Sequence, residues 1–278
     1  MSGFSPQWLA LREAADHRSR NANLAGRLAD RFRNARSVSV VDLGCGTGSN
    51  LRATAPLLTA QQCWTLVDFD AALLDAAGDA LWRWADVARQ SGDTLMLDKQ
   101  GQQLIVILRQ ADLAGELGHI LGANVDLVTA SALFDLASTA FIGRLAQMTA
   151  ARRAAFYTVS TYDGRQTWTP AHSADADLLE AFHAHQRTDK GLGVAAGPAA
   201  PAALATAFRS AGYEVSEGDS AWVLGAADER LIAELAAGFA AAARETGRLD
   251  PAAIGDWLSL RRTAAKVGHT DTLALPPA

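Results

Sequence analysis

Val40-Val41-Asp42-Leu43-Gly44-Cys45-Gly46-Thr47-Gly48-Ser49-Asn50 decides how the rest of the chain is read. The residues leading into it, Ser37–Leu43, are apolar and β-branched, the composition of a strand buried on both faces. Three glycines then alternate with other residues, and helical spacing begins near Ser49. Glycine accepts positive φ and lets backbone approach a ligand with no β-carbon in the way. The helix that follows presents unpaired N–H groups at its first turn. Together these make the crevice found at the carboxyl ends of strands in doubly wound sheets. The spacing here is G-x-G-x-G, whereas the dinucleotide fingerprint G-x-G-x-x-G wants glycine where Ser49 stands. Asp42, just ahead of the turn, repels a pyrophosphate and suits a ligand that carries positive charge.

Working outward, Cys63–Val67 reads as a second buried strand ending at Asp68, where an acid can accept hydrogen bonds from ribose hydroxyls. Asp70–Gln90 has helical spacing through Leu73, Leu74, Leu81 and Trp84. Thr94–Leu97 and Leu104–Leu108 flank the turn signal Asp98-Lys99-Gln100-Gly101 and predict a hairpin whose second arm is a core strand. A short helix over 112–121, a strand over 125–130, a helix over 137–150 and a strand over 154–160 continue the alternation. Upstream, Trp8, Leu9, Leu11, Ala15, Leu24, Leu28 and Phe32 predict one or two helices across 6–33. Residues 161–200 break the rhythm and read as a lid over the ligand crevice. A helix at 200–211, strands near 213–216 and 221–224, helices at 228–246 and 251–264, and an edge strand at 267–275 complete the reading. The expected fold is α/β and Rossmann-like: a mostly parallel, seven-stranded sheet with helices on both faces. The expected organisation is an N-terminal helical segment, 1–36, packing on a single domain, 37–278, elaborated at about 161–200.

On these residues the chain resembles the class I S-adenosylmethionine (SAM)-dependent methyltransferases. VVDLGCGTG at 40–48 resembles their first motif, LVDFD at 66–70 the second, RQADL at 109–113 the third, and VDLVTASALFDL at 125–136 the fourth strand with the loop lining the transfer site. The resemblance covers roughly residues 37–160. It implies SAM as cofactor and S-adenosylhomocysteine (SAH) as product. Gly44, Cys45, Gly46 and Gly48 would pass under the methionine part, with Asp42 and Asn50 holding its polar end. Asp68 would bind the ribose, Phe69 would lie beside the adenine, and Asp112 with Leu113 would meet the adenine edge. Ser131 closes the fourth strand against the cofactor, and Arg20 from the leading helices is a candidate for the carboxylate.

The acceptor side is less defined. Phe134, Tyr157, Tyr162 and Trp168 are candidate aromatic walls, and His172 and Asp135 candidate bases. Phe134 reads equally as core, Asp112 has a helix-cap reading beside the ligand one, and for His172 a solvated loop histidine is the favoured reading. The expected function is methyl transfer from SAM to a small organic molecule. The alternatives are an RNA or protein acceptor, or a SAM- or SAH-binding protein without catalysis.

Composition narrows this further. With 30 acidic and 25 basic residues the formal net charge is −5, which does not favour a polyanionic partner. Nucleic acid is therefore not the expected partner, although Arg12, Arg18, Arg20, Arg27, Arg31, Arg33 and Arg36 make the first 36 residues basic. Two cysteines, Cys45 and Cys63, provide no disulfide framework and no zinc spacing. His183 and His185 sit about 100° per residue apart around a helix and point to different sides, so no metal is expected. No apolar run is long enough to cross a membrane, and a cytoplasmic protein is the expectation. The apolar helices at 228–264 offer either a homodimer face or a cover for the sheet.

Overall fold

The computed structural model describes residues 4–277. Its core is one sheet, built first from five parallel strands. These are β1 (Val38–Leu43), β2 (Gln61–Asp68), β5 (Gln102–Gln110), β6 (Leu127–Ser131) and β7 (Ala155–Thr169). Between them run α3 (Ser49–Thr54), α4 (Ala71–Trp84), α5 (Leu113–Leu121) and α6 (Thr139–Ala151). Val38, Val40 and Leu66 pack on one face with Leu24 and Leu28. Val41, Leu43 and Phe156 pack on the other with Leu117, Phe141 and Phe208. Alternating burial on two faces is why these strands read as nearly continuous apolar runs.

Ten strands rather than the expected seven form the sheet, in the order β3-β4-β5-β2-β1-β6-β7-β10-β8, with β9 paired to β10. Two of the expected elements are corrected by the sheet. The helix expected to reach Gln90 stops at Trp84, and Val87–Ser91 becomes β3, pairing antiparallel with β4 (Thr94–Lys99) across a turn where Gly92 has φ 58°. Cross-strand pairing overrides local helical preference there. The segment expected as an edge strand, β10 (Ala264–Leu275), instead lies inside the sheet between β7 and β8 (Glu214–Asp219), antiparallel to both. Of its buried polar residues, Asp271 is satisfied internally, whereas His269 Nδ1 and Thr272 Oγ1 have no partner. Asp271 accepts the Ser160 and Asn21 backbone N–H groups through its two oxygens, each at 2.9 Å, and its carboxyl is pushed above the usual range by burial.

The N-terminal segment forms α1 (Pro6–Ser19) and α2 (Ala22–Phe32), capped by the side chains of Ser5 and Asn21. Residues 161–200 hold the end of β7, a helix and the chain leading to Gly197–Ala199. β7 continues to Thr169 paired with β10 through two register shifts, and α7 (Asp175–Gln186) packs on α9 (Glu229–Thr246). A third core forms there from Trp168, Leu178, Phe239, Ile254 and Trp257, with α10 (Pro251–Ser259) closing it. α8 (Ala200–Ser210) covers the opposite face, and β9 (Trp222–Leu224) extends the far edge. Among the described residues no helix is long and apolar enough to cross a membrane.

Candidate functional site

The glycine turn leaves β1 at the carboxyl edge of the sheet. Gly44, Gly46 and Gly48 have φ of 62°, 53° and 72°, the left-handed region that a side chain makes costly. Cys45 N–H donates to Val67 O at 2.9 Å and anchors the turn to β2. The Cys45 thiol is buried, and burial pushes its pKa up, which removes it as a nucleophile. Asp68 ends β2 and accepts the Gly46 N–H at 2.9 Å on one oxygen and the Asp70 N–H at 3.0 Å on the other. Each oxygen keeps a second lone pair for a ligand. Phe69, next in line, is 58% exposed, a large apolar ring left on the surface beside that acid. Asp112 caps α5 through Ala114 N–H and stays exposed. Leu113 is buried in the core behind it, and Ser131 is half-buried at the end of β6.

Beneath the turn lies a buried polar row. Asp42, Thr129 and Tyr157 are register partners across β1, β6 and β7 and project to one face. Asn50 donates to Asp42 Oδ1 at 2.8 Å and to Thr129 Oγ1 at 3.0 Å. Arg20 donates to Asn50 Oδ1 at 2.8 Å and to Thr54 Oγ1 at 2.9 Å, so its guanidinium braces α3. Asp42 Oδ2, Arg20 Nε and the Tyr157 hydroxyl have no protein partner. Burial raises the Asp42 carboxyl to about 7, with Asn50 and Arg20 only partly offsetting it. An unpartnered buried carboxylate oxygen under a glycine turn is a set of acceptors waiting for a donor or a cation.

α1 covers the turn. A β-carbon on Gly46 would stand 2.9 Å from Leu9 Cδ1, and one on Gly44 would stand 3.1 Å from Leu133 Cδ1. Glu13 holds Arg52 through two bonds of 2.6 and 3.0 Å, and Arg52 in turn donates to Thr47 O at 2.8 Å. His17 Nε2 meets Ser49 Oγ at 2.9 Å. Sequence reasoning missed this whole latch. Its only trace was the i, i+4 pairing of Glu13 with His17, which says nothing about the partner surface.

The acceptor-side candidates divide. Asp135 lies in the 3-10 turn after β6, 9% exposed, and burial raises its carboxyl to about 6. Tyr162 is also buried, and its hydroxyl meets His183 Nε2 at 3.0 Å. Phe134 is core, edge-on to Phe156 at 5.5 Å. Trp168 and His172 stand apart. Trp168 lies nine residues beyond Val159 on β7 and packs against Trp257 at 5.3 Å. His172 meets Asp256 at 3.1 Å beside α10, well removed from the glycine turn. His183 and His185 diverge, His185 turning to Glu245 at 2.9 Å. Two grooves open on the surface, the larger reaching Gln110 beside Asp68 and Phe69. One of about 380 Å³ lies at His185 and Glu245, and one of about 770 Å³ is lined by Leu74, Gly78, Trp82, Leu95, Leu108 and Gln110.

No family model matches this sequence, and no curated protein sequence matches it. Solved structures do. A cyclopropane-fatty-acyl-phospholipid synthase-like protein from Lactobacillus casei is similar over 95% of this chain and 99% of its own, with TM-score 0.54 and 16% identity. A cyclopropane synthase from Mycobacterium tuberculosis is similar over 98% and 94%, with TM-score 0.53 and 10% identity. A magnesium protoporphyrin IX methyltransferase from Synechocystis, solved with bound SAM, follows at TM-score 0.47 and 13% identity over 99% and 86%. The chain has the class I SAM-dependent methyltransferase fold.

Proposed function

We propose that this protein is a methyltransferase that binds SAM at the glycine turn and methylates a small organic acceptor. The observation that carries the reading is the unpartnered Asp42 Oδ2 beneath three left-handed glycines, with Asp68 closing the adjacent strand. The residues present fit SAM. Acids and exposed acceptors face a ligand that is cationic at sulfur and ammonium and rich in donors at ribose and adenine. Phe69 offers a ring for the adenine, and Asp112 an acceptor for its amino group. When bound, SAM supplies an electrophilic methyl group and so carries the difficult chemistry.

The chain's own work is positioning and exclusion of water. Leu9 and Leu133 close over the turn, and the Glu13–Arg52 and His17–Ser49 contacts hold α1 down. Asp135 is the remaining candidate base, because His172 lies elsewhere. A small acceptor is favoured by the fate of the basic leading segment. Arg12, Arg18, Arg27 and Arg33 pair with Asp16, Asp228, Glu214 and Asp30, and Arg20 points inward, which leaves little free charge for a nucleic acid.

Calorimetric titration with SAH and, separately, NAD tests the cofactor. SAH should bind with a Kd on the order of micromolar, NAD should be silent, and Asp68→Ala should weaken SAH. A folded protein that ignores SAH would overturn the reading.

A further inference from the structure

The outer strands β5, β4 and β3 are covered on one face and open on the other. On the covered face Leu95, Leu97, Leu104 and Val106 pack with Leu74 and Leu81 of α4. On the other face the layer of α5 and α6 reaches Val41 of β1 but stops short of Ile107, two strands further out. There the register sets Met96 beside Ile105 on the exposed side, with Val87 and Ile107 in the flanking rows. These four side chains are between 37% and 48% exposed. They are four of the nine large apolar side chains left exposed among the described residues, gathered on one side of one sheet. Single exposed apolar residues need no explanation, whereas a contiguous patch of them marks an interaction surface.

The same face carries one cation and one anion. Arg89 stands opposite Met96 and Asp98 opposite Val87, so the two charges are diagonal neighbours on adjacent strands. The nearby Lys99 and Asp86 pair with each other at 2.8 Å, whereas among the described residues Arg89 and Asp98 form no ion pair. An apolar surface with one free charge of each sign is complementary to itself. A twofold rotation sets Arg89 of each copy against Asp98 of the other. A strongly acidic or strongly basic partner would meet a like charge there. Edge-to-edge pairing fits less well, because β3 is short and two copies aligned antiparallel about Arg89 would oppose arginine to arginine. The apolar residues of α9 and α10, such as Leu231, Phe239, Ile254 and Trp257, are taken up by the third core.

We infer that two copies of this chain associate sheet against sheet through the open face of β3, β4 and β5. Met96 and Ile105 lie at the centre of the contact, and the Arg89–Asp98 pairs, made twice by symmetry, lie at its rim. Sheets packed in this way stand about 10 Å apart, the space between filled by both sets of side chains. With strands about 4.8 Å apart and about 3.4 Å per residue, the face from β2 to β3 offers about 300 Å² of flat sheet per copy. Side-chain relief adds to that, but the total stays below the roughly 800 Å² per partner of a standard interface. The dimer is therefore a weak one, with a Kd on the order of 10 μM. The inference does not depend on what the glycine turn binds.

Sedimentation equilibrium of the full chain, from about 1 to about 200 μM, tests this by following the mass from monomer to dimer. Ile105→Asp, at an exposed position, should leave the chain folded and raise the dimer Kd at least about thirtyfold. Arg89→Asp and Asp98→Arg should each do the same, because each sets like charges together twice, at a cost large enough to suppress the pairing. Mixed in equal amounts, these two variants should associate again with a Kd within about threefold of the parent, since both contacts then join opposite charges. A parent that stays monomeric over the whole range overturns the inference. So does a dimer that survives Ile105→Asp, a charge variant that dimerises as the parent does, or a pair of charge variants that fails to associate on mixing. Should Ile105→Asp fail to fold by circular dichroism, the charge variants and their mixture decide alone.

Discussion

Leu9 of α1 presses on Gly46 so closely that a β-carbon there would stand 2.9 Å from Leu9 Cδ1. The glycine is thus required twice, by its φ of 53° and by the side chain above it. Gly46→Ala should lower stability by about 2 kcal/mol, roughly half from the left-handed backbone and half from the clash. Leu9→Ala added to it should recover only the second part. Thermal melts of the two variants check this, and full recovery in the double variant would show that the backbone conformation costs nothing.

The latch between α1 and the turn predicts a local change. Arg52 is nearly buried, so Glu13→Gln leaves a guanidinium with a weaker partner. The cost should be about 1–2 kcal/mol. Hydrogen exchange should quicken over α1 and the glycine turn while β1 and β6 keep their protection. Uniform loss of protection instead would mean that α1 does not open separately.

Asp42 predicts a pH dependence. Its folded value is raised to about 7 from an ordinary 3.8, chiefly by burial. The folded state therefore holds a proton that the unfolded chain has released. That contribution to stability is complete below about pH 4 and is lost as pH rises through about 7. Asp42→Asn should gain on the order of 2 kcal/mol at pH 8 and almost nothing at pH 4, the full shift being discounted for the orphaned amide that replaces Oδ2. The same variant should bind SAH more weakly, since the acceptor under the turn is gone. Chemical denaturation at the two pH values and one calorimetric titration measure both effects. An equal change in stability at pH 4 and pH 8 sinks the assignment.

Asp68 has two tasks that separate by substitution. Asp68→Asn keeps an oxygen for the Gly46 N–H but loses the charge and one acceptor, whereas Asp68→Ala loses both. SAH affinity should fall about tenfold for asparagine and about a hundredfold for alanine, and the melting temperature should fall further for alanine, which loses both the Gly46 and the Asp70 N–H bonds. Equal affinity in both variants would mean that Asp68 serves the turn alone.

His172 gives the opposite kind of prediction. It faces Asp256 beside α10, so His172→Ala should leave SAH affinity within about twofold of the parent. A large loss by calorimetry would contradict its placement.

The parallel core and the glycine turn were legible in the sequence because their causes are local. A β-branched run, a glycine where positive φ is needed and an acid at a strand end each carry their meaning within a few residues. Val38–Leu43, Gly44 to Gly48 and Asp68 accordingly sit where that reading puts them. What only the tertiary structure decided is which distant residues meet. Whether Val87–Ser91 is helix or strand depends on pairing with Thr94–Asp98. Whether β10 is an edge or an interior strand depends on β8 returning beside it, which turns Asp271 from a solvent-facing residue into a buried tie between α2 and β7. The placement of Leu9 over Gly46, and of Gln186 near Asp135, arises from packing α1 and α7 on that finished sheet. Helical and alternating periods state which face of an element is buried, but not against what.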